Sequence, residues 1–446
     1  MPTETPSTIH AAAMAGLLDR FRLVRGASLA FAAPLTPEDQ MVQSCAEASP
    51  TKWHLAHTSW FFEIFVLTPH LAGYQPFHPD FHWLFNSYYN SLGEMPEKKL
   101  RASFSRPPLA DILAYRAHVD SAVAELLASG MAMDPAGEED AVRRIALGLE
   151  HEQQHLELIA TDIKHALYTN PLHPAYLPGE RLAAAPAKPL EFTSFAGGLT
   201  QIGISPDAND PQAFAFDNET PRHTVYLQPF SLANRLVTCG EYLAFLNDNG
   251  CARPELWLSE GWSTMRAEGW QAPLYWRRDP ETASGWSVYT LHGFRPLDEL
   301  LETPVCHLSL FEADAFARWS SLSQPGCRLP TEFEWEHAAA ASARGPANML
   351  ESGALHPVAA GKGEGLQQLF GDVWEWTSSG YTGYPGYHPL PGALGEYNGK
   401  FMSSQVILRG GSCVTPASHI RATYRNFFPP ATRWQFSGLR LARDGG

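Results

Sequence analysis

His151-Glu152-Gln153-Gln154-His155-Leu156-Glu157 lies in the middle of a stretch that reads as one long helix. Asp134 is a suitable N-cap, Pro135 fits the first helical position, and Asn170-Pro171 stops the run. At about 100° per residue, His151 and His155 stand one turn apart on the same face. Val142, Ile145, Ile159 and Ile163 fall near that stripe, so both imidazoles are expected to point into a packed bundle interior. Such a pair can present nitrogens to one divalent metal. The alternative is two buried histidines bonded to neighbouring carbonyls.

Two metal chemistries share this spacing. His151-Glu152-x-x-His155 matches the zinc-protease motif, with Glu152 as general base. The extended protease form wants Gly at 158 and His at 161, where this chain has Leu158 and Thr161. The other form needs a Glu on a following helix, yet a Pro-rich linker begins at Pro171. The zinc protease is therefore the runner-up to a three-histidine iron site. Glu157 falls on a different face from His151 and reads as a carboxylate orienting an imidazole, or as a salt-bridge partner.

Three further helical segments precede the long one: Ile9 to Val24, a segment started by Thr36-Pro37-Glu38-Asp39 and restarted at Ser49-Pro50, and Leu109 to Leu127. Four antiparallel neighbours make an up-and-down bundle, whose metal sites are built from facing helices. The third ligand is then sought in Trp53-His54-Leu55-Ala56-His57, where Ala56 and the aromatic stripe at Trp60 and Phe61 favour His57 over His54. The loop Phe85-Asn86-Ser87-Tyr88-Tyr89-Asn90 offers two phenols, and the cations Lys98, Lys99, Arg101 and Arg106 follow it, with Arg101 the candidate for a substrate carboxylate.

A length of 446 residues predicts two domains. The reading is a helical bundle over residues 8–172, a Pro- and Ala-rich linker over 173–189, and a Gly- and Trp-rich domain of short strands over 190–446, an α+β chain. In that second part helical periodicity is evident only near Cys239–Leu246 and Leu310–Ser320. The net charge of −15 argues against a nucleic-acid or anionic-membrane partner. The six cysteines form no C-x-x-C pair, so thiols in a reducing compartment are expected. With no leader pattern and no long apolar run, the expected location is the cytoplasm; oligomeric state is left open.

The second half carries Phe214-Ala-Phe-Asp-Asn-Glu219-x-Pro221-x-His223, Arg328-Leu-Pro-Thr-Glu332-x-Glu334-Trp335-Glu336, Gly371-Asp-Val-Trp-Glu-Trp376, Arg409-Gly-Gly-Ser412 and Gly438-Leu-Arg440. These ordered motifs resemble the formylglycine-generating-enzyme-like fold, a variant of the C-type lectin fold. The first half resembles the DinB-like helical bundle. The pair, in this order, resembles the ergothioneine-type sulfoxide synthases, also called hercynine oxygenases. The resemblance implies a non-haem iron(II) held by His57, His151 and His155, and oxygen-dependent joining of a thiol to the imidazole C2 of hercynine to give a sulfoxide. Reducing O2 to water takes four electrons; forming the C–S bond supplies two and oxidising sulfur supplies two. No reductant or organic cofactor is then required.

The same resemblance implies that Gln154 contacts the hercynine imidazole and that Asn426 binds its carboxylate, with Phe427 as an aromatic wall for the trimethylammonium. Members that use glutamylcysteine carry an acidic residue and an arginine where this chain has Phe428 and Thr432, so the expected thiol is cysteine. Tyr88 and Tyr89 are the expected proton donors of that branch, with Tyr381, Tyr384 and Tyr387 in reserve. Ovothiol-type synthases, which act on histidine, carry a fused methyltransferase that this sequence lacks; this favours hercynine as acceptor. Formylglycine generation needs two cysteines where Thr415 and Ile420 stand. A purely lectin-like binding module would have no use for three inward histidines.

Overall fold

A computed structural model describes residues 6–128, 134–179, 186–206, 214–342 and 347–445, with side chains from residue 13 onward. The chain folds as two compact units. One contains the helical residues up to Thr169 and also Pro391–Tyr397; the other holds Asn170–Ser205, Ala215–Leu390 and Asn398–Gly446.

The helical unit is built on α1 (Pro6–Ala32), α2 (Thr51–Phe62), α3 (Leu109–Ala128) and α4 (Pro135–Thr169). Asp134 Oδ1 accepts the Gly137 amide at 2.7 Å, which caps α4, and Asn170 Oδ1 accepts the Leu172 amide at 3.0 Å just past its end. Pro50 is extended and delivers the chain into α2, which is buried along its whole length and packs on both α3 and α4. Its last turn widens into a π-helical turn, Glu63–Leu67. Glu63 there accepts the phenols of Tyr74 (2.6 Å) and Tyr115 (2.8 Å), so a buried carboxylate is satisfied.

The expected helix start at Thr36 is not realised as a helix. Thr36 and Asp39 do exchange the bonds of a cap, at 2.9 and 3.1 Å, but only the 3-10 turn Asp39–Met41 follows and Val42 is already extended. A cap cannot propagate a helix that has no apolar face to bury.

The other unit consists of β1 (Phe192–Phe195), β2 (Gly198–Ile202), β3 (His223–Leu227), β4 (Phe230–Ala233), β5 (Trp276–Arg278), β6 (Trp286–Thr290), β7 (Gly293–Pro296), β8 (Cys327–Arg328), β9 (Trp374–Gly380), β10 (Val406–Arg409), β11 (Asn426–Phe428), β12 (Ser437–Gly438) and β13 (Ala442–Asp444). The strands form sheets in the orders β1-β4-β13-β8, β11-β10-β9-β12, β2-β3 and β5-β6-β7. Among the described residues four α-helices accompany them: α5 (Cys239–Asn247), α6 (Ser259–Ala267), α7 (Leu310–Ser323) and α8 (Glu332–Ala341). Helices α6 and α8 go beyond the periodicity seen in the sequence.

The motif residues of this unit hold its interior together. Trp335 and Ala338 of α8 pack with Leu227, Phe230, Leu232 and Ala442. Arg440 pairs with Glu375 at 2.8 Å, and Arg409 joins Glu332 and Glu336 at 2.8 and 2.9 Å, all five side chains being buried. Thr238, Ser309 and Thr331 each form a capping box with a Glu three residues on. At Gly410, φ is +100° and an added Cβ would meet the Leu369 carbonyl oxygen at 2.6 Å, which is why the Arg-Gly-Gly turn takes glycine. Among the described residues no helix is long and apolar enough to cross a membrane.

Candidate metal centre

Helices α2 and α4 bring His57, His151 and His155 together, each offering a ring nitrogen so that the three atoms lie within 4.8 Å of one another. Ring centroids are 4.4 Å apart for His151 and His155, 4.9 Å for His57 and His151, and 4.8 Å for His57 and His155. All three side chains are buried. Burial, with the neighbouring imidazoles, holds His57 and His155 well below the ordinary imidazole range, and burial holds His151 at about 3, so the cluster is neutral at pH 7. Neutral imidazole is the form that ligates a metal.

The donor set fits a metal on the hydrogen-bond pattern as well. His57 Nδ1 donates to the Phe85 carbonyl at 2.6 Å, which leaves Nε2 without a proton, and that atom is buried without a hydrogen-bond partner. Both ring nitrogens of His151 are likewise buried and unbonded. Buried polar atoms are rarely left so, and a cluster of them facing one another is the signature of a cation site. Trp53 stacks on His57 at 4.6 Å and 12°, with Trp60 on its other side at 5.3 Å, so the ring plane is fixed.

His54, the competitor for the third ligand, stands behind His155: its Nδ1 is 2.8 Å from His155 Nδ1 and its Nε2 is 3.1 Å from Asp162 Oδ2. Glu157 is buried but is not in the three-histidine cluster.

Glu152 faces away from this cluster. Its carboxylate accepts from Arg25 (2.8 Å), Arg116 (2.6 Å) and Ser28 (2.6 Å). Burial alone would raise its pKa, but Arg116 and Arg25 hold it at about 2. A carboxylate so paired cannot take a proton from water near neutral pH, so the protease role considered for Glu152 is overturned. The His-Glu-x-x-His spelling here places Glu152 in a structural ion network linking α1, α3 and α4.

Gln154, between the two helix histidines, accepts a hydrogen bond through Oε1 from the phenol of Tyr397. Tyr397 also lies with its ring 5.7 Å from His151 and 6.2 Å from Tyr88. Tyr88 and Tyr89 are in ring contact at 4.7 Å, and Tyr89 packs on Trp60 and Phe65. Burial raises the pKa of both phenols, so each keeps its proton at neutral pH. Glu396, next to Tyr397, accepts the amides of Asn90 (3.0 Å) and Ser91 (2.9 Å) and the Ser91 hydroxyl (2.6 Å), tying down the loop that carries Tyr88 and Tyr89.

Tyr397 is the residue that sequence reading missed. It sits in a Pro- and Gly-rich stretch without periodicity, far along the chain from the helices it joins. The three reserve phenols are engaged within the strand-rich unit: Tyr381 accepts from Asn218, Tyr384 lies 3.1 Å from Arg409 Nη2, and Tyr387 donates to Asp217.

Arg101 is buried with its guanidinium 3.3 Å from the Trp53 ring centroid, and it donates to Ser49 (2.8 Å) and Ser87 (3.2 Å). Among the described residues no carboxylate forms an ion pair with it. Burial pulls its pKa down to about 9, partly offset by Asp162.

Asn426, Phe427 and Phe428 lie on β11 in the strand-rich unit. Asn426 Oδ1 accepts the Phe427 amide at 2.9 Å, Phe427 stacks on Tyr381 at 4.0 Å and 13°, and Phe428 packs against Trp434.

Comparisons with known proteins agree with this two-part architecture. Residues 20–159 match the DinB superfamily model, and residues 182–445 match the sulfatase-modifying factor enzyme 1-like domain. The chain is 30% identical over 427 residues to the hercynine oxygenase of Mycolicibacterium smegmatis, covering 89% of this chain and 91% of that one. To the hercynine oxygenase of Mycobacterium tuberculosis it is 32% identical over 431 residues, covering 89% and 91%. This chain belongs to the hercynine oxygenase family. A further relative, ergothioneine biosynthesis protein 1 of Schizosaccharomyces pombe, is 27% identical over 282 residues, 60% of this chain and 33% of that one. As a member of the hercynine oxygenase family the chain is an oxygenase, and its α+β fold joins a DinB-like helical part to a formylglycine-generating-enzyme-like part.

Proposed function

We propose that this chain is a non-haem iron(II), O2-dependent sulfoxide synthase. It joins the sulfur of cysteine to the imidazole C2 of hercynine, giving hercynylcysteine sulfoxide in ergothioneine biosynthesis. The observation that carries the reading is the buried His57–His151–His155 cluster with its unbonded ring nitrogens. Ferrous iron held there by three neutral ligands would supply oxygen activation and the positive charge that deprotonates a thiol.

The chain's own residues would do the rest. Gln154, held by Tyr397 beside His151, orients the acceptor imidazole. Tyr88, Tyr89 and Tyr397, in ring contact with one another through Tyr88, would each give up a phenolic proton at the phenol oxygen. Arg101, rigid on Trp53 and lacking a carboxylate partner among the described residues, holds the carboxylate of cysteine. Asn426 and Phe427 are assigned to the hercynine carboxylate and ammonium. Phe428 and Thr432 offer no charge to a glutamyl extension.

The test is oxygen uptake by anaerobically purified, iron(II)-loaded protein, with products read by mass. Cysteine with hercynine is expected to give rapid coupling. Coupling only with glutamylcysteine would overturn the thiol assignment, and coupling with histidine in place of hercynine would move the chain to the ovothiol-type reaction. Uptake with none of these pairs would overturn the reading itself. His57→Ala, His151→Ala and His155→Ala should each abolish iron loading; tight iron binding by the variants would refute the ligand set. Tyr88→Phe, Tyr89→Phe and Tyr397→Phe are expected to turn oxygen consumption from C–S coupling towards plain thiol oxidation. Unchanged product ratios in all three would remove the phenols from the proton chemistry.

A further inference from the structure

The stripe of α4 that carries His151 and His155 continues two turns on, to Asp162, which is seven residues past His155. We propose that Asp162 and His54 form a relay that fixes which ring nitrogen of His155 carries the proton, and thereby positions His155 as a metal ligand. The proposal rests on the metal-centre reading above, and it assigns roles to two residues outside the ligand set.

The argument is one of donors and acceptors. Asp162 Oδ2 already accepts the Ser49 backbone amide at 2.8 Å and lies 3.1 Å from His54 Nε2. A carboxylate only accepts, so His54 Nε2 is the protonated nitrogen. A neutral imidazole carries one N–H, so His54 Nδ1 is bare and is an acceptor. That atom is 2.8 Å from His155 Nδ1, and two bare nitrogens at that distance would repel. His155 Nδ1 therefore carries the proton and donates, which leaves His155 Nε2 bare for a metal.

The same outcome is reached at His57 by a simpler route, the Phe85 carbonyl. At His155 an imidazole-carboxylate pair takes the place of the carbonyl. His54 is thereby excluded as a ligand in its own right, since both its nitrogens are engaged. Ser49 also accepts Arg101 through its hydroxyl, at 2.8 Å, so the residue that anchors Asp162 through its amide anchors the buried guanidinium too. His54, Asp162 and His155 are all buried, which removes water as a competing donor.

The test uses the full chain at pH 8 and reads two quantities that turnover does not enter. The first is the tautomer of His155 in the metal-free protein, from long-range nitrogen–proton NMR correlations. The second is the dissociation constant of Fe(II), with Co(II) absorption as a spectroscopic signature. In the parent protein the His155 proton is expected on Nδ1. In Asp162→Leu the acceptor for His54 Nε2 is gone, so the His54 proton is no longer held on that atom; the His155 proton should then shift towards Nε2, and metal affinity should fall about 10- to 100-fold.

His54→Asn places an amide oxygen where Nδ1 accepts and should retain affinity far better than His54→Leu, which merely fills the space. A folded Asp162→Leu protein with an unchanged tautomer and unchanged affinity would overturn the relay. So would equal affinities in His54→Asn and His54→Leu, a comparison that stands even if Asp162→Leu does not fold. Absence of metal binding by the parent protein would overturn the metal-centre reading instead, and the metal-free spectra would still decide whether Asp162 sets the tautomer.

Discussion

At the scale of single residues, a buried carboxylate takes opposite parts according to what surrounds it. Glu152 is adjacent to a candidate ligand yet is spent on Arg25 and Arg116. Replacing it by alanine leaves two buried guanidinium groups short of their counter-charge, so Glu152→Ala is expected to lose about 3–5 kcal/mol of unfolding free energy in a urea titration. A loss below about 1 kcal/mol would mean the network is not sealed from water. Asp372 is the converse case: buried, accepting Asn348 and the Val358 amide at 2.8 Å each, with burial raising its carboxyl to about 6. Its folded pKa lies above its unfolded value, so the native state holds the proton more tightly between about pH 4 and pH 6, and stability falls as pH rises through that window. Asp372→Asn removes this penalty, on the order of 3 kcal/mol at neutral pH. The variant should gain on the parent protein as pH is raised from 4 to 6.5, and a constant difference in unfolding midpoints across that range would refute it.

At the scale of elements, the i, i+4 histidine pair was legible because α4 is long, capped at Asp134 and stopped at Asn170-Pro171, so its phase is fixed by local chemistry alone. The inward choice of His57 over His54 followed from the aromatic stripe of α2. Helix α8 was not legible as a periodic helix, because its inward face carries Glu332 and Glu336 for Arg409 and Arg425, and apolar periodicity is blind to buried carboxylates. Tyr397 and the Asp162–His54 pair were illegible for a related reason: their meaning lies in partners distant in sequence. The packing of α2 on α4 has its own test. A Cβ added at Gly148 would meet the Phe62 ring at 2.6 Å, and Phe62 is itself locked edge-on against Phe21 at 5.1 Å. Alanine favours a helix by up to about 1 kcal/mol over glycine, while overpacking costs about 1–3 kcal/mol. Gly148→Ala is therefore expected to lower the thermal midpoint, and a raised midpoint would show that the Phe62 ring can move aside.

At the scale of the whole molecule, a metal bound only by the folded helical unit adds to that unit's stability by mass action. At a hundredfold excess of Fe(II) over its dissociation constant the gain is about 2.7 kcal/mol. Anaerobic melts followed at helical wavelengths should move upward with Fe(II) and return on chelation, whereas the His57→Ala variant should ignore both; an unmoved parent melt would argue against a site in this unit. The grouping of Pro391–Tyr397 with the helical residues bears on how such a gene can be recombined. Parents crossed at the linker would each pass on part of the other's chemistry: whoever donates the C-terminal half also donates the phenol beside His151 and the carboxylate that ties down the Tyr88–Tyr89 loop. Hybrids joined at that seam would thus be chimeric around His151 even when every histidine comes from one parent. Exchange between relatives is then tolerated only where those few residues travel with, or match, the helices they serve.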